Sequence, residues 1–421
     1  MAISNLTNSY AYSQFFEPVS VLLGLCRNRH ACPELPDARW IELGVCRSLL
    51  DPMSGRGFLQ QYSPFFETMP STGLFFEALK SRRRLGLCQE LGALLCDKLR
   101  STLPDPLAAF EELKNFDVHA GDGHWHGAAA HDPRRDGRKW PVGHLYTLNL
   151  RCHAMNHMEM ADEEDRKHEH DMRALKRQSL EALRQGAPKG RKVLIAWDSA
   201  CIDFEQWEHW KKRGGVYFLT RAKSNMACAV LKDLPVDSGN PVNGGVFEDC
   251  LVKSASGITL RRIRCEDPAT GQVHTILTNE RSLPPGLLAQ IYRMRWDVEK
   301  VFDQFKNSLK EQKAWASSAT AKTMQAHFLC LTHNLMLLME HHFENTCKVT
   351  NTAEKARREK RFLELKEASA KAGRKVSSVY EHVKRFTKRS LKFIRCLRTH
   401  LFLEKPLAEV AAYLANLYQH L

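Results

Sequence analysis

The stretch "YRMRWDVEKVFDQFK" runs from Tyr292 to Lys306. An α-helix turns about 100° per residue. With Tyr292 set at zero, Arg295, Glu299 and Lys306 fall at about 300°, 340° and 320°, within one arc of about 60°. Met294, Val298, Phe302, Phe305 and Leu309 fall between about 200° and 280°, a separate apolar face. The spacing therefore predicts one amphipathic helix, beginning near Pro284 and Pro285, that packs on a core with one side. Directly beside that side it carries a phenol, a guanidinium, a carboxylate and an ammonium. The bland reading is a solvated face with helically spaced ion pairs. Two features favour a site instead. Side chains bordering the buried face are only half exposed. The stripe is also mostly cationic around a single carboxylate, as expected where a metal-binding acid lies beside phosphates.

Upstream of this helix the pattern is mixed. "FDVHAGDG" (116–123) alternates like a strand and ends in glycines, and "GHLYTLNLRCHAM" (143–155) is a second strand candidate. "MADEEDRKHEHDMRALKRQSLEALRQGA" (160–187) starts acidic and ends basic, matching a helix dipole, and reads as an exposed helix. "KVLIAWDSA" (192–200) is a continuous apolar run of the buried-strand type. A short helix, "DFEQWEHWKKRG", and a strand, "VYFLTRAK", follow it. Residues 224–281 are β-rich, with a hairpin turn expected at "DPATG" (267–271). Beyond the opening helix, "MQAHFLCLTHNLMLLMEHHF" reads as a core helix. Residues 346–375 read as a charged linker or exposed helix.

The first hundred residues carry apolar positions at three- and four-residue spacing, up to a boundary at Pro104 and Pro106. The expected organisation is thus a helical region over 1–108, an α/β domain over 109–345 with a β-rich insertion at about 224–281, and a basic helical region over 346–421.

Of 421 residues, 62 are Lys or Arg and 48 Asp or Glu, a net charge of +14. The segment 341–421 alone holds 18 basic and 8 acidic residues, a net of +10. This balance favours a polyanionic partner, most simply nucleic acid. The thirteen cysteines form no Cys-x-x-Cys pair, which fits reduced thiols better than a disulfide framework or a cysteine-based zinc site. No apolar run is long enough to span a bilayer, and the N-terminus lacks a signal-peptide pattern. The expectation is a soluble, cytoplasmic chain, nucleoid-associated if bacterial, with no membrane partner.

The spacing Tyr292-(2)-Arg295-(3)-Glu299-(6)-Lys306, the run "ILTNERSLPPGLLAQIYRMRWDVEKVFDQFKNSLK" and the strand "YFLTRAKSN" together resemble DDE transposases of the insertion-sequence-four group over about residues 112–340. The resemblance implies a ribonuclease-H-like core with a β-rich insertion, and three carboxylates that bind two Mg²⁺ ions, with Mn²⁺ able to substitute. Glu299 matches the third carboxylate, Asp198 the second, and Asp122 in "AGDGHWH" the first. Asp117 competes for the first place but lacks the following glycine. The sequence departs from the family pattern in the "GHWH" after Asp122 and in the "SAC" after Asp198.

Two metals can activate a water or 3′-hydroxyl and stabilise the leaving oxygen of a phosphodiester. Oxygen ligands on separate elements suit Mg²⁺. The resemblance further implies that Arg295, Lys306 and Tyr292 contact DNA, and that a homodimer acts on paired terminal inverted repeats and on target DNA. The expected activity is cut-and-paste transposition. The alternatives are a nuclease with the same core that does not transfer strands, or an inactive DNA-binding relative. His119, His124, His126 and His131 are read as bordering the active site or contacting DNA, since no cysteine pair or helical histidine spacing supports zinc. Trp296, near about 40° on the wheel, is read as core packing. Lys384, Arg385, Lys388, Arg389, Lys392, Arg395 and Arg398 are read either as a solvated face or as phosphate or dimer contacts.

Overall fold

The computed structural model describes residues 10–50, 54–65, 69–134, 136–161, 171–309, 311, 313–382 and 391–420. The chain opens with five helices: α1 (Ala11–Leu23), α2 (Asp37–Leu49), α3 (Gly55–Tyr62), α4 (Thr72–Ala78) and α5 (Arg82–Thr102). Ser54, Ser71 and Ser81 precede α3, α4 and α5, and each side chain accepts an N–H of the first turn. Three strands follow, β1 (Phe116–His126), β2 (Val142–Asn149) and β3 (Met155–Ala161). The stretch expected as a single strand at 143–155 is therefore a hairpin. Asn149 causes the break: its side-chain carbonyl accepts the N–H groups of Arg151 and Cys152, and His153 takes a left-handed φ of 58°.

Two short helices, α6 (Asp171–Lys176) and α7 (Leu180–Leu183), occupy the described part of the segment expected as one exposed helix. The side chain of Ser179 caps α7 and starts it afresh. The acidic run 162–170 lies outside the described residues. β4 (Lys192–Ala196), α8 (Phe204–Gly214) and β5 (Val216–Arg221) come next. Gly215 ends α8 in the left-handed region, φ 62°, and returns its N–H to Lys211, a conformation that costs glycine no Cβ clash. Then come β6 (Cys228–Asp233), β7 (Val246–Ser254), β8 (Thr259–Glu266) and β9 (Val273–Thr278), followed by α9 (Pro285–Met294), α10 (Trp296–Asp303) and α11 (Ala319–Asn345). The chain closes with α12 (Thr352–Lys371), α13 (Val379–His382), α14 (Leu391–His400) and α15 (Leu407–His420).

All nine strands form one mixed sheet, in the order β3-β2-β1-β4-β5-β9-β8-β7-β6. β1, β4 and β5 run parallel, and the remaining neighbours are antiparallel. The β-rich segment therefore extends the same sheet through the β5–β9 pair. The β8–β9 turn falls at 267–271, where the Asp267 carboxylate accepts the N–H groups of Ala269 and Thr270.

Alternation sorts the side chains of the central strands to two faces. Val118, Ala120, Leu194, Ala196 and Leu219 belong to a large core shared with α9–α11, α14, α15 and the N-terminal helices. Val193, Ile195, Trp197 and Phe218 join Trp207, Trp210 and Leu183 beneath α6–α8 on the other face. The central strands are buried on both sides, which is why β4 is apolar throughout. α11 is buried along most of its length, whereas α12 is mostly exposed, with Ser369 buried and Glu354, Arg358, Phe362 and Leu365 half-buried.

The opening helix is not uniform. The N–H of Arg295 bonds to Tyr292 and that of Val298 to Arg295, both three residues back, a tightened turn that separates α9 from α10. Residues 304–308 then widen into a π turn, with Leu309 N–H reaching Gln304 five residues back. A constant 100° wheel thus fails at both ends. Trp296, expected in the core, is 57% exposed: at about 40° on the wheel it lies opposite the apolar face at about 200–280°.

In the C-terminal region, Lys384, Arg385, Lys388 and Arg389 lie outside the described residues. Arg398 donates to the carbonyls of Leu49 (2.6 Å) and Ser308 (2.6 Å), tying α14 to α2 and to the π turn. Arg395 is exposed and Lys392 half-buried.

Candidate active site

Alternation along β1 sends Val118, Ala120 and Asp122 to the face covered by α9–α11. Asp117 goes the other way. It pairs with Arg100 (3.1 Å) and His119 (3.1 Å) and accepts from Asn149 (3.1 Å), and these partners hold its carboxyl well below the usual range against the effect of burial. Asp122 stands just past the last β1–β4 pair, Ala120 with Ala196, and is 9% exposed. One of its oxygens accepts the Gly123 N–H (2.9 Å) and the other accepts from the Arg295 guanidinium.

Asp198 follows β4, the parallel neighbour of β1, so it reaches the same end of the sheet. Its carboxylate accepts the Ala200 N–H (2.7 Å), and its carbonyl accepts the buried Thr220 hydroxyl at the end of β5 (3.1 Å). Glu299 comes down from α10, with its side chain 42% exposed and 4.0 Å from the Arg295 guanidinium. The glycine before Asp122 has a steric cause: a Cβ on Gly121 would lie 2.6 Å from the Trp197 ring, which packs flat against β1.

These groups are electrostatically coupled. Burial pushes the Asp122 carboxyl up and Arg295 opposes it. Repulsion from Glu299, with which it also shares a hydrogen bond, and from Asp198 leaves it at about 7. Burial alone would lower Arg295, but Asp122, Tyr292, Asp198 and Glu299 together hold it above its ordinary value. Burial raises the Tyr292 phenol, with Arg295 opposing. One buried guanidinium therefore sits among three carboxylates. Their excess negative charge, carried by hard oxygen donors from three elements, fits a divalent cation such as Mg²⁺ or Mn²⁺.

The stripe read from the wheel is divided in three dimensions. Arg295 is 6% exposed, beside Asp122. Tyr292 is half-buried next to it, and Lys306 is exposed on the π turn. Trp296 stands in the open at this edge, its ring centroid 5.3 Å from the Arg295 guanidinium. Arg221, exposed at the end of β5, is close enough to act on Tyr292.

Of the four histidines in this region, His119 is bound to Asp117, and His124 and His126 are buried with their rings turned inward. None of these three is exposed to contact DNA. His131 is exposed. Trp125, 40% exposed, covers Gly143 on the neighbouring strand.

Sequence reasoning missed Asp171 and Cys201. Potential ligand atoms of Asp171, Asp198 and Cys201 lie within 4.8 Å of one another. The Asp171 carboxylate also abuts Gly123, where an added Cβ would meet it at 3.1 Å. Asp171 ends a cluster of six acids over 162–171, so no spacing distinguished it from its neighbours.

Residues 130–335 match the family model described as "Transposase DDE domain". The match takes in Asp198, Tyr292, Arg295, Glu299 and Lys306, and it begins after Asp122. The chain is also similar to "Putative transposase y4zB" of Sinorhizobium fredii (strain NBRC 101917 / NGR234), 29% identical over 126 residues, which is 28% of this chain and 35% of that protein. The aligned part thus spans about a third of the relative's length. Both likenesses support a DDE transposase. Among the described residues, no helix is long and apolar enough to cross a membrane.

Proposed function

We propose that this chain is a DDE transposase that cuts DNA at the ends of a mobile element and joins those ends to target DNA. The observation that carries the reading is the convergence of Asp122, Asp198 and Glu299 from β1, the end of β4 and α10 around Arg295, within a chain whose residues 130–335 match a transposase DDE domain. The same reading takes the core as ribonuclease-H-like. In its support, β1, β4 and β5 run parallel, β2 and β3 fold back beside β1, and the acids lie at one end of these strands.

On this reading Asp122, Asp198 and Glu299 hold two Mg²⁺ ions, with Asp171 available as a further oxygen ligand beside Asp198. When bound, the ions supply a deprotonated nucleophile and neutralise charge on the phosphate and the leaving oxygen. The chain's own residues do the positioning. Thr220 fixes the carbonyl of Asp198, and the Gly123 N–H orients the Asp122 carboxylate. Arg295 is the countercharge of the acids and lies near the scissile phosphate. Lys306, Arg221 and Tyr292 face the DNA backbone, and Trp296 offers an exposed ring against which a base can stack.

The partners are double-stranded DNA bearing terminal inverted repeats, target DNA, and a second copy of the chain on paired ends. The net charge of +14 supports binding to DNA. The test uses linear DNA carrying the inverted repeats that bracket the reading frame, incubated with the full chain and Mg²⁺. Metal-dependent cleavage at the repeat ends followed by joining to a target plasmid is the expected result. Cleavage without joining would make the protein a nuclease. Binding without cleavage would make it a DNA-binding relative.

A further inference from the structure

A second group of ligating side chains lies away from the acids. Beyond Asp122, β1 continues on the same face with His124 and His126. At about 3.4 Å per strand residue, these rings leave the strand about 7 and 14 Å beyond Asp122. Both are 2% exposed. They meet Glu311, which follows the π turn and whose side chain is 1% exposed. His124 Nε2 lies 3.0 Å from one Glu311 oxygen and His126 Nδ1 3.4 Å from the other. All three potential ligand atoms fall within 4.8 Å of one another.

We propose that His124, His126 and Glu311 form a structural zinc site that clamps the end of the α10 segment to β1. Ligands at about 2.0–2.2 Å in a tetrahedron stand about 3.3 Å apart. The two imidazole nitrogens lie 3.0 and 3.4 Å from different oxygens of the one carboxylate, and the three ligand atoms lie within 4.8 Å of one another, so a modest inward movement places them around one Zn²⁺. The surroundings match as well. Among the described residues, the ion-pair partners of the buried Glu311 carboxylate are these two imidazoles, and its Oε1 has no hydrogen-bond partner. The other ring nitrogen of His126 is 2.6 Å from the buried Tyr146 hydroxyl, the outer contact that fixes the tautomer of a ligating histidine.

Phe302 stacks on the His124 ring (centroids 4.6 Å, 15°) and holds its plane. Glu311 also borders a cavity of 490 Å³ together with His131, Trp315 and Gln325, which supplies an entry path. Two imidazoles favour Zn²⁺ over Mg²⁺ at this site, whereas the all-oxygen acids favour the reverse.

The clamp would act on geometry, since Glu311 is joined through the π turn to the helix that carries Glu299. Metal content tests it directly. Full-length protein is purified from zinc-supplemented cells, gel-filtered in metal-free buffer and measured by elemental mass spectrometry. The wild type should carry about one zinc per chain. Glu311→Gln and His126→Ala should each carry less than about a tenth of that. Asp198→Asn and Cys201→Ser should retain it, as both lie in the other cluster. Circular dichroism confirms folding of each variant. Replacing zinc by Co²⁺ in the wild type should give the visible absorption of a tetrahedral site. A zinc-free wild type that also fails to take up added Zn²⁺ or Co²⁺ would overturn the proposal. So would zinc that survives Glu311→Gln and His126→Ala, or zinc that is lost with Asp198→Asn and Cys201→Ser alone.

Discussion

Glu299→Gln separates the chemistry of the acid site from its stability. In the metal-free protein, Glu299 gains attraction from Arg295 at 4.0 Å and suffers repulsion from Asp122. At an effective dielectric of about 20, the attraction at 4.0 Å is worth about 4 kcal/mol. The two contributions oppose one another, and solvent at a side chain 42% exposed screens both. The net change in stability should therefore stay within about 1 kcal/mol, or about 2–4 °C in melting temperature. Glutamine keeps the shape, so the fold and DNA affinity without divalent metal should be retained. Metal-dependent cleavage of end-bearing DNA should fall by about a hundredfold or more, because one ligand has lost its charge. The assays are differential scanning fluorimetry, a mobility shift in chelator, and gel-resolved cleavage in Mg²⁺. Wild-type cleavage by this variant would refute the assignment of Glu299. A collapse in melting temperature would refute the charge balance.

Three further outcomes follow from the same geometry. Arg295→Gln removes the cation that, among the described residues, is bonded to buried Asp122, whose carboxyl then protonates, so it should destabilise the metal-free protein by about 1–3 kcal/mol in urea unfolding; an unchanged midpoint would contradict the pairing. Gly121→Ala forces a Cβ against the Trp197 ring and should cost about 1–3 kcal/mol, and it should also lower cleavage because Asp122 is the next residue. For pH, burial lowers His327 to about 4, so between its ordinary value near 6.5 and that point the unfolded chain binds more protons than the native one. Stability should be full above about 6.5 and be lost as pH falls towards 4, at up to about 1.4 kcal/mol per pH unit for this histidine. Urea midpoints measured from neutral pH to about 4.5 should fall less steeply in His327→Phe, and equal slopes in the two proteins would sink this account.

Much of the site can be read in the sequence because its chemistry rides on regular elements. A buried strand needs an apolar run, so an acid just past "VLIAW" marks the end of a central strand, and Asp198 is found there. β1 alternates cleanly, so parity alone separates Asp122 from Asp117: residues five apart on a strand point to opposite faces. The glycine before Asp122 reports the approach of Trp197. What could not be read depends on departures from periodicity or on distant partners. The tightened turn at Arg295 and the π turn at 304–308 carry no strong local signal, and Arg295, buried beside Asp122, and Lys306, in solvent, stand on them.

The histidines show the same limit most sharply. His124 and His126 two residues apart on a strand already share a face, but the pattern names no third ligand. Glu311 lies 185 residues after His126 in the numbering and reaches the pair only because the π turn sets its helix end against β1. With a uniform 3.6-residue helix from Trp296 to Leu309, each residue after 304 would be rotated relative to its present direction, and Glu311 would leave the helix at a different angle. The extra residue in that turn is therefore the local feature on which both the direction of Lys306 and the meeting of Glu311 with His124 depend. π turns are rare and cluster where a side chain must be aimed, which agrees with one lying between Glu299 and Glu311.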